Sequence, residues 1–326
     1  LTGSNSIDKT EIMHTGTGRI DTLVMYPMSL YESQESNGSV SLAELFKYPD
    51  ALNEGCESNL TIDQLIFAAC RGGWPSSLQK KSDKAKLLVA RSYFDSLCAE
   101  DISNVDGVQR DETTTRLLLR SYARNISTMV TNRAIINDVN ANIEFSESSF
   151  YGYVKVLKKL FLIQDVEAWC PAIRSKSAIQ ATDKREFVDP SLVVAALGVD
   201  PEYFNLDLKT FGFIFETLCI RDLKAYSAAL GGRVSYYHDR YGLEVDCVLH
   251  LRDGKYALIE FKLGSADIDD GAKHLIELEN LIKEYNEKET QCKLRLPDLK
   301  IVITGTQYGY KREDGVLVVP IGCLKN

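Results

Sequence analysis

Apolar residues change their spacing along this chain. Over Thr61 to Gly73 (TIDQLIFAACRGG) and over 83–98 (DKAKLLVARSYFDSLC) they recur every three to four positions, the period of a helix with one buried face. Residues 111–163 repeat that period three times, in DETTTRLLLRSYARNIS, NRAIINDVNANI and SESSFYGYVKVLKKLFLI, the last of them opening on serine caps; QDVEAW then reads as a short strand. From Pro201 on, LKTFGFIFETLCIRDLKAYSAALGG predicts a helix, VSYYHD a strand, GAKHLIELENLIKEYN a second helix, and LKIVITG and GVLVVPI two more strands. Between them VDCVLHL and YALIEFKL flank the turn Arg252-Asp253-Gly254-Lys255 as an antiparallel hairpin. Ahead of all this, RIDTLVMYPMSL reads as a strand and ESNGSVS as a loop. The order predicts a multidomain α/β chain, helical in its middle and mixed at its end.

Length and charge narrow the picture. The chain has 326 residues, 44% hydrophobic and 26% charged, which is ordinary globular composition and long enough for two or three domains. A net charge of -8 argues against a general polyanion binder, so any nucleic-acid contact has to come from local basic clusters. Runs such as ALIEF and VLVVPIG fall far short of the ~20 residues that span a bilayer, and LTGSNSIDKT lacks the basic and apolar regions of a signal peptide. A cytoplasmic protein without a membrane partner is expected. Eight cysteines (56, 70, 98, 170, 219, 247, 292, 323) form no C-x-x-C pair, so neither a zinc ribbon nor a disulfide framework is indicated.

The hairpin carries the chemistry. Asp246, Glu260 and Lys262 stand inside otherwise apolar strands, where a charge costs several kcal/mol unless it is paired or holds a metal. Strand alternation places Glu260 and Lys262 on one face and Phe261 on the other, and Asp246 on the neighbouring strand can face the same way. Two carboxylates and an ammonium converging there suit Mg²⁺ or Mn²⁺ held by Asp246 and Glu260, with the carbonyl of residue 261 and several waters, and Lys262 beside a water near a phosphate. The competing reading is a buried ion-pair network. Glu244, two residues before Asp246, is a spare ligand or a structural partner.

These residues resemble a family. A glutamate on a helix (Glu216 in FIFETLC) followed by D-x(13)-E-x-K is similar to the signature of PD-(D/E)XK nuclease-like domains, which implies a restriction-endonuclease-like fold with Asp246 and Glu260 as metal carboxylates and Glu216 and Lys262 completing the catalytic set. More widely, LTGS, HTGTGRIDTLVMYPMSLYES, RGGWPSSL, EFVDPSLVVAALG, FETL, LEVDCVL and ALIEFKLG resemble proteins in which an AAA-like ATPase module precedes a winged-helix segment and such a nuclease-like domain. The resemblance implies residues 1–100 as the C-terminal portion and helical lid of the ATPase module, 101–190 as a winged-helix domain and 191–326 as the nuclease-like domain. It also makes Ser4 the polar sensor of the γ-phosphate, Arg19 a candidate arginine for a neighbour's nucleotide and Arg71 a lid arginine, with a homo-oligomer formed through that module. No G-x-x-x-x-G-K-[ST] occurs, so ATP is expected only in a longer chain carrying the phosphate-binding loop. For Arg71 the plainer reading is a cation at a helix C-terminus.

Basic residues offer a second surface. Arg116, Arg120 and Arg124 recur every four positions, and Lys155, Lys158 and Lys159 lie on the third helix of the winged-helix segment, with Arg174, Lys176, Lys184 and Arg185 where its wing is expected. They suit a DNA backbone, or simply a solvated face. Three readings of function therefore stand: a metal-dependent nuclease associated with an ATPase, a non-catalytic nucleic-acid or protein adaptor that keeps the nuclease fold as a scaffold, and a fragment of a signalling or chaperone-like ATPase.

Overall fold

The computed structural model describes residues 23–172, 181–289 and 291–326. Ser4, Arg19, Arg174 and Lys176 fall outside them.

Helices start where the sequence supplies an acceptor for a free amide. Thr61 forms a reciprocal capping box with Gln64 at the head of the helix Ile62–Arg71. Ser82, Asp111, Thr131 and Ser146 accept backbone N–H groups at the heads of Asp83–Ser96, Glu112–Arg124, Asn132–Asn140 and Glu147–Lys159. Their apolar faces, with Leu118, Leu119, Tyr122, Ile135, Phe150 and Leu157 among them, are buried in one core that continues under the C-terminal sheet. Ile163 and Val166 then bridge back antiparallel to Phe187 and Lys184, so the three helices are followed by a narrow ribbon.

The C-terminal part is built on a mixed seven-stranded sheet, in the order β2-β7-β8-β6-β5-β4-β3. The strands are β2 (Cys56–Glu57), β3 (Arg233–His238), β4 (Glu244–His250), β5 (Tyr256–Lys262), β6 (Leu299–Thr304), β7 (Tyr308–Lys311) and β8 (Leu317–Pro320). β5, β6 and β8 run parallel, and the outer pairs are antiparallel. Alternate residues feed two cores. Cys247, Leu249, Ile259, Phe261, Ile301 and Val319 pack in the core that contains the helix Leu208–Ala229; Val248, Leu258, Val302 and Val318 pack with Leu275, Leu278 and Ile282 of the helix Ile268–Lys288. The chain is thus an α/β protein, and among the described residues no helix is long and apolar enough to cross a membrane.

The segment expected as a strand over 19–30 is not one over its described part. Residues 23–29 pair with no strand, and Leu23 and Met25 are exposed. This stretch is fixed by single bonds instead: Met28 N–H to the Gly73 carbonyl (2.8 Å) and Leu30 N–H to Asp222 Oδ2 (2.9 Å). The nearby strands β1 (Val40–Ser41) and β2 make no sheet of their own. β1 lies parallel to β9 (Leu324–Lys325), and β2 joins the edge of the large sheet through β7.

A buried ionic junction locks these pieces to the long helix. Arg221 lies between Asp189 Oδ2 (3.2 Å) and Asp222 Oδ1 (2.6 Å), while Asp189 caps the helix Pro190–Leu197 and accepts the Gly73 N–H at 2.9 Å. Gly72 ends the helix Ile62–Arg71 at φ +75°, and a Cβ there would lie 2.3 Å from Ser191 Oγ and 2.5 Å from Asp189 Oδ1.

Candidate functional site

Four elements deliver charged side chains to one end of the β4–β5 hairpin. The helix Leu208–Ala229 begins where Asp207 accepts the Thr210 N–H at 3.0 Å, and it carries Glu216. β4 contributes Glu244 and Asp246, β5 contributes Glu260 and Lys262, and the helix Ile268–Lys288 contributes His274. Ion pairs through Lys184 and Lys262 bring Glu216, Asp246, Glu260 and Lys262 into one cluster.

A β-bulge aims Asp246. Ser235 pairs with Val248 and Tyr237 with Val245, so Asp246 and Cys247 together oppose the single residue Tyr236. The β4–β5 ladder ends at the pair Cys247–Ile259, one residue short of both acids. There the Asp246 side chain takes over from the backbone, Oδ2 accepting the Phe261 N–H at 2.9 Å. Glu260 is 1% exposed. Its Oε2 receives the Lys262 ammonium at 2.7 Å and has His274 Nδ1 at 3.5 Å, and Lys262 Nζ lies 3.8 Å from Asp246 Oδ2. Gly271 packs over this pair, since a Cβ there would sit 3.0 Å from Lys262 Cε and 3.3 Å from Glu260 Cβ.

The centre of the cluster holds a residue placed elsewhere by sequence. Lys184, expected on a wing, is 1% exposed, and its Nζ lies 2.9 Å from Glu216 Oε1, 2.9 Å from Glu244 Oε1 and 3.8 Å from Asp246 Oδ1. Two bridges explain the difference: both backbone bonds between Val166 and Lys184 (2.9 Å each) close the ribbon, and the bridge from Ala168 to Tyr236 of β3 holds it against the sheet, which turns this side chain inward. Arg185 is likewise buried, bonded to Tyr122 Oη, Asn132 Oδ1 and the Val130 carbonyl, so neither residue is presented to a phosphate backbone. Nothing local in DKREFVD marks Lys184 as an inner residue, because its partners come from 32 and more positions away. Glu244 is the structural partner of Lys184.

Burial sets the electrostatics and the ion pairs answer it. Burial pushes the Glu260 carboxyl up, with the Asp246 charge adding to the effect and His274 and Lys262 opposing it. Glu216 is raised by burial too, against the pull of Lys184. Burial works against the charges of Lys184 and Lys262, but the carboxylates around them outweigh it and hold both ammoniums above their ordinary pKa. The hydrogen bond to Glu260 raises His274. Formally, four carboxylates face two lysines, an excess of two negative charges.

Among the described residues, two buried side-chain oxygens lack a hydrogen-bond partner: Glu260 Oε1 and Glu186 Oε2. Glu186 follows Lys184 by two residues on the ribbon; its other oxygen accepts from Ser127 Oγ at 2.8 Å, and burial pushes its pKa up to about 7. Glu260 Oε1 belongs to the cluster. No three His, Cys, Asp or Glu side chains among the described residues converge closely enough to hold a metal ion by themselves. Lys184 is the physical reason on one side of the cluster, since its ammonium already occupies the space between Glu216 and Glu244.

The other candidates are dispersed. Arg71 is the cation at the C-terminus of the helix Ile62–Arg71, as the plainer reading has it; it is 3% exposed, its Nε donating to the Gly72 carbonyl at 3.1 Å and its Nη atoms paired with Glu35. Arg116 is paired with Glu112 and Asp95, and Arg124 with Asp138. Lys158 reaches the buried Asp165 at 3.0 Å, while Lys155 is exposed and Lys159 half-buried on the same helix.

Two family models match the chain, both described as domains of unknown function: DUF8612 over residues 62–203 and DUF4143 over residues 211–324. No curated protein and no solved structure matches it. The first match contains Lys184; the second contains every other member of the cluster.

Proposed function

We propose that the hairpin cluster is a divalent-metal-dependent phosphodiesterase site acting on nucleic acid, in a domain of restriction-endonuclease-like fold. The observation that carries this reading is Glu260: a carboxylate 1% exposed, its Oε1 bonded to nothing, beside Asp246 and in a cluster with two negative charges in excess. A buried anionic oxygen without a donor is costly, and a cation supplies what it lacks. Asp246 and Glu260 would hold Mg²⁺ or Mn²⁺, whose remaining positions are suited to waters because Mg²⁺ commonly binds through one or two carboxylates. Such an ion supplies charge for the phosphoryl oxygens and acidifies a bound water. Lys262, 20% exposed and tied to Glu260, orients that water or meets the phosphate, and His274 approaches the same Glu260 oxygen.

The three helices of residues 112–159 and the ribbon that follows suit a winged helix, with Lys155, Lys158 and Lys159 on its third helix as a candidate DNA surface. The N-terminal residues would be the end of an AAA-like ATPase module. ATP binding by that module, and oligomerisation that depends on it, would require a phosphate-binding loop, and no G-x-x-x-x-G-K-[ST] occurs in these 326 residues.

One observation favours a second reading, a non-catalytic scaffold. Lys184 and Lys262 already pair with all four acids, as a site that no longer needs an ion would require. Asp246→Asn and Glu260→Gln, each measured for Mn²⁺-dependent nicking of DNA and for melting temperature, separate the two. At a metal site cleavage falls by at least ~100-fold while metal-free stability holds or rises, because like charges have been relieved. In a scaffold there is no cleavage to lose, and the variants melt lower because a buried lysine has lost its partner. A wild-type chain inert on every DNA and RNA form tested would sink the nuclease reading.

A further inference from the structure

We infer that Lys184 is a positioning residue that stands in for a second metal ion, so that the cluster takes one divalent cation and not two. This rests on the metal-site reading above and specifies its stoichiometry. Two-metal phosphodiesterases surround their reacting phosphate with several carboxylates and place two ions ~3.5–4 Å apart. Here the four acids divide into two sets. Glu216 and Glu244 are both engaged by the Lys184 ammonium at 2.9 Å, whereas Asp246 and Glu260 face Lys262 and include the one fully buried cluster oxygen, among the described residues, that lacks a hydrogen-bond partner, Glu260 Oε1. Asp246 joins the sets, with Oδ1 3.8 Å from Lys184 Nζ and Oδ2 3.8 Å from Lys262 Nζ.

Lys184 cannot easily give way to an ion. It is 1% exposed, its backbone is bonded in both directions to Val166, and that arm of the ribbon is tied to β3 by Trp169 N–H to the Tyr236 carbonyl (2.7 Å) and Tyr236 N–H to the Glu167 carbonyl (3.1 Å), so withdrawing the ammonium to water requires the ribbon to leave the sheet. A divalent ion between Glu216 and Glu244 would also have to share that space with a fixed positive charge. With His274 neutral and all four carboxylates ionised the formal count agrees: four carboxylates and two ammoniums leave two negative charges, which one divalent ion neutralises. Two such ions would leave the buried site two positive charges over. Lys184 comes from the stretch matched by one family model and the carboxylates from the other, so the fixed cation is delivered across the junction of the two matched stretches.

Counting bound Mn²⁺ by titration calorimetry and by anomalous diffraction from soaked crystals tests this. The wild-type chain is expected to bind one ion, between Asp246 and Glu260, with no peak between Glu216 and Glu244. Lys184→Met, of similar length but uncharged, is expected to bind a second ion, and Lys184→Arg to keep the count at one. Two ions in the wild type, or one in Lys184→Met, would overturn the inference and leave the metal site standing. No ion in the wild type would overturn the metal site itself and this inference with it. Should Lys184→Met fail to fold, one ion in both the wild type and Lys184→Arg supports the inference, and two in either overturns it.

Discussion

Lys184 Nζ lies 2.9 Å from Glu216 Oε1, joining a ribbon that follows three helices to the long helix that flanks the C-terminal sheet. A contact between residues 32 positions apart thereby ties two separately matched stretches of chain through one buried ion pair.

Truncation of that lysine should be severe. Lys184→Ala leaves Glu216 buried and Glu244 without its cation, an uncompensated charge that costs about 3–5 kcal/mol. Adding Glu216→Gln should recover part of the loss, with a coupling energy of about 0.5–3 kcal/mol in a double-mutant cycle followed by urea unfolding. Strictly additive losses would show that the pair contributes nothing.

His274 should make metal-free stability depend on pH. Its hydrogen bond to Glu260 raises the imidazole above its ordinary 6.5, so the folded chain holds this proton more tightly than the unfolded one. The contribution is complete below about pH 6.5 and disappears as pH rises through the raised value. In the presence of a chelator, the melting temperature of wild type should therefore fall across that window more steeply than that of His274→Gln. Parallel profiles would remove His274 from the electrostatics of the cluster.

Gly72 is a position where no side chain fits. Its φ of +75° disfavours L residues, and a Cβ would be 2.3 Å from Ser191 Oγ, 2.5 Å from Asp189 Oδ1 and 2.6 Å from Trp74 Nε1. Gly72→Ala should cost about 3 kcal/mol or more by denaturant unfolding, backbone strain adding to overpacking. A loss no larger than that of an exposed helical Gly→Ala control would contradict the close approach.

The two lysines of the candidate DNA surface should separate. Lys155 is exposed, so Lys155→Ala should lower the salt slope of DNA binding by about 1 with stability unchanged. Lys158 also neutralises the buried Asp165 at 3.0 Å, so Lys158→Ala should lower the melting temperature as well. Equal effects of both changes on the two measurements would mean that they share one role.

Much of this was legible in the sequence wherever the information is local. The long helices carry their period and their caps, and the turn at Arg252–Lys255 fixes the hairpin, so strand alternation brings Asp246, Glu260 and Lys262 together from sequence, while Glu216 joins them only through the family resemblance. Strands β1 and β2, of two residues each, are too short to show alternation, and β7 (YGYK) has only one buried position. The bulge at Asp246–Cys247 depends on how β3 is registered, which no spacing within β4 reveals. Lys184 and Arg185 sit in a run of charges that resembles a solvated loop. Only the pairing with Val166 and the acids beyond residue 210 turns Lys184 inward.

The pairing of β2 with β7 has a consequence for synthesis. Cys56 and Glu57 meet Gly309 and Tyr308, about 250 residues later, and β1 waits still longer for β9. At ~5–20 residues per second, the ribosome needs on the order of ten to fifty seconds to make that partner. For that interval Leu42, Leu45 and Phe46, buried in the finished protein, have no C-terminal sheet to pack on. The N-terminal segment is translated before most of the molecule, yet it can dock only among the last parts to fold. Loop closures this long are slow, so nascent chains should depend on chaperones through this segment more than through the helices of residues 112–159, whose contacts are local.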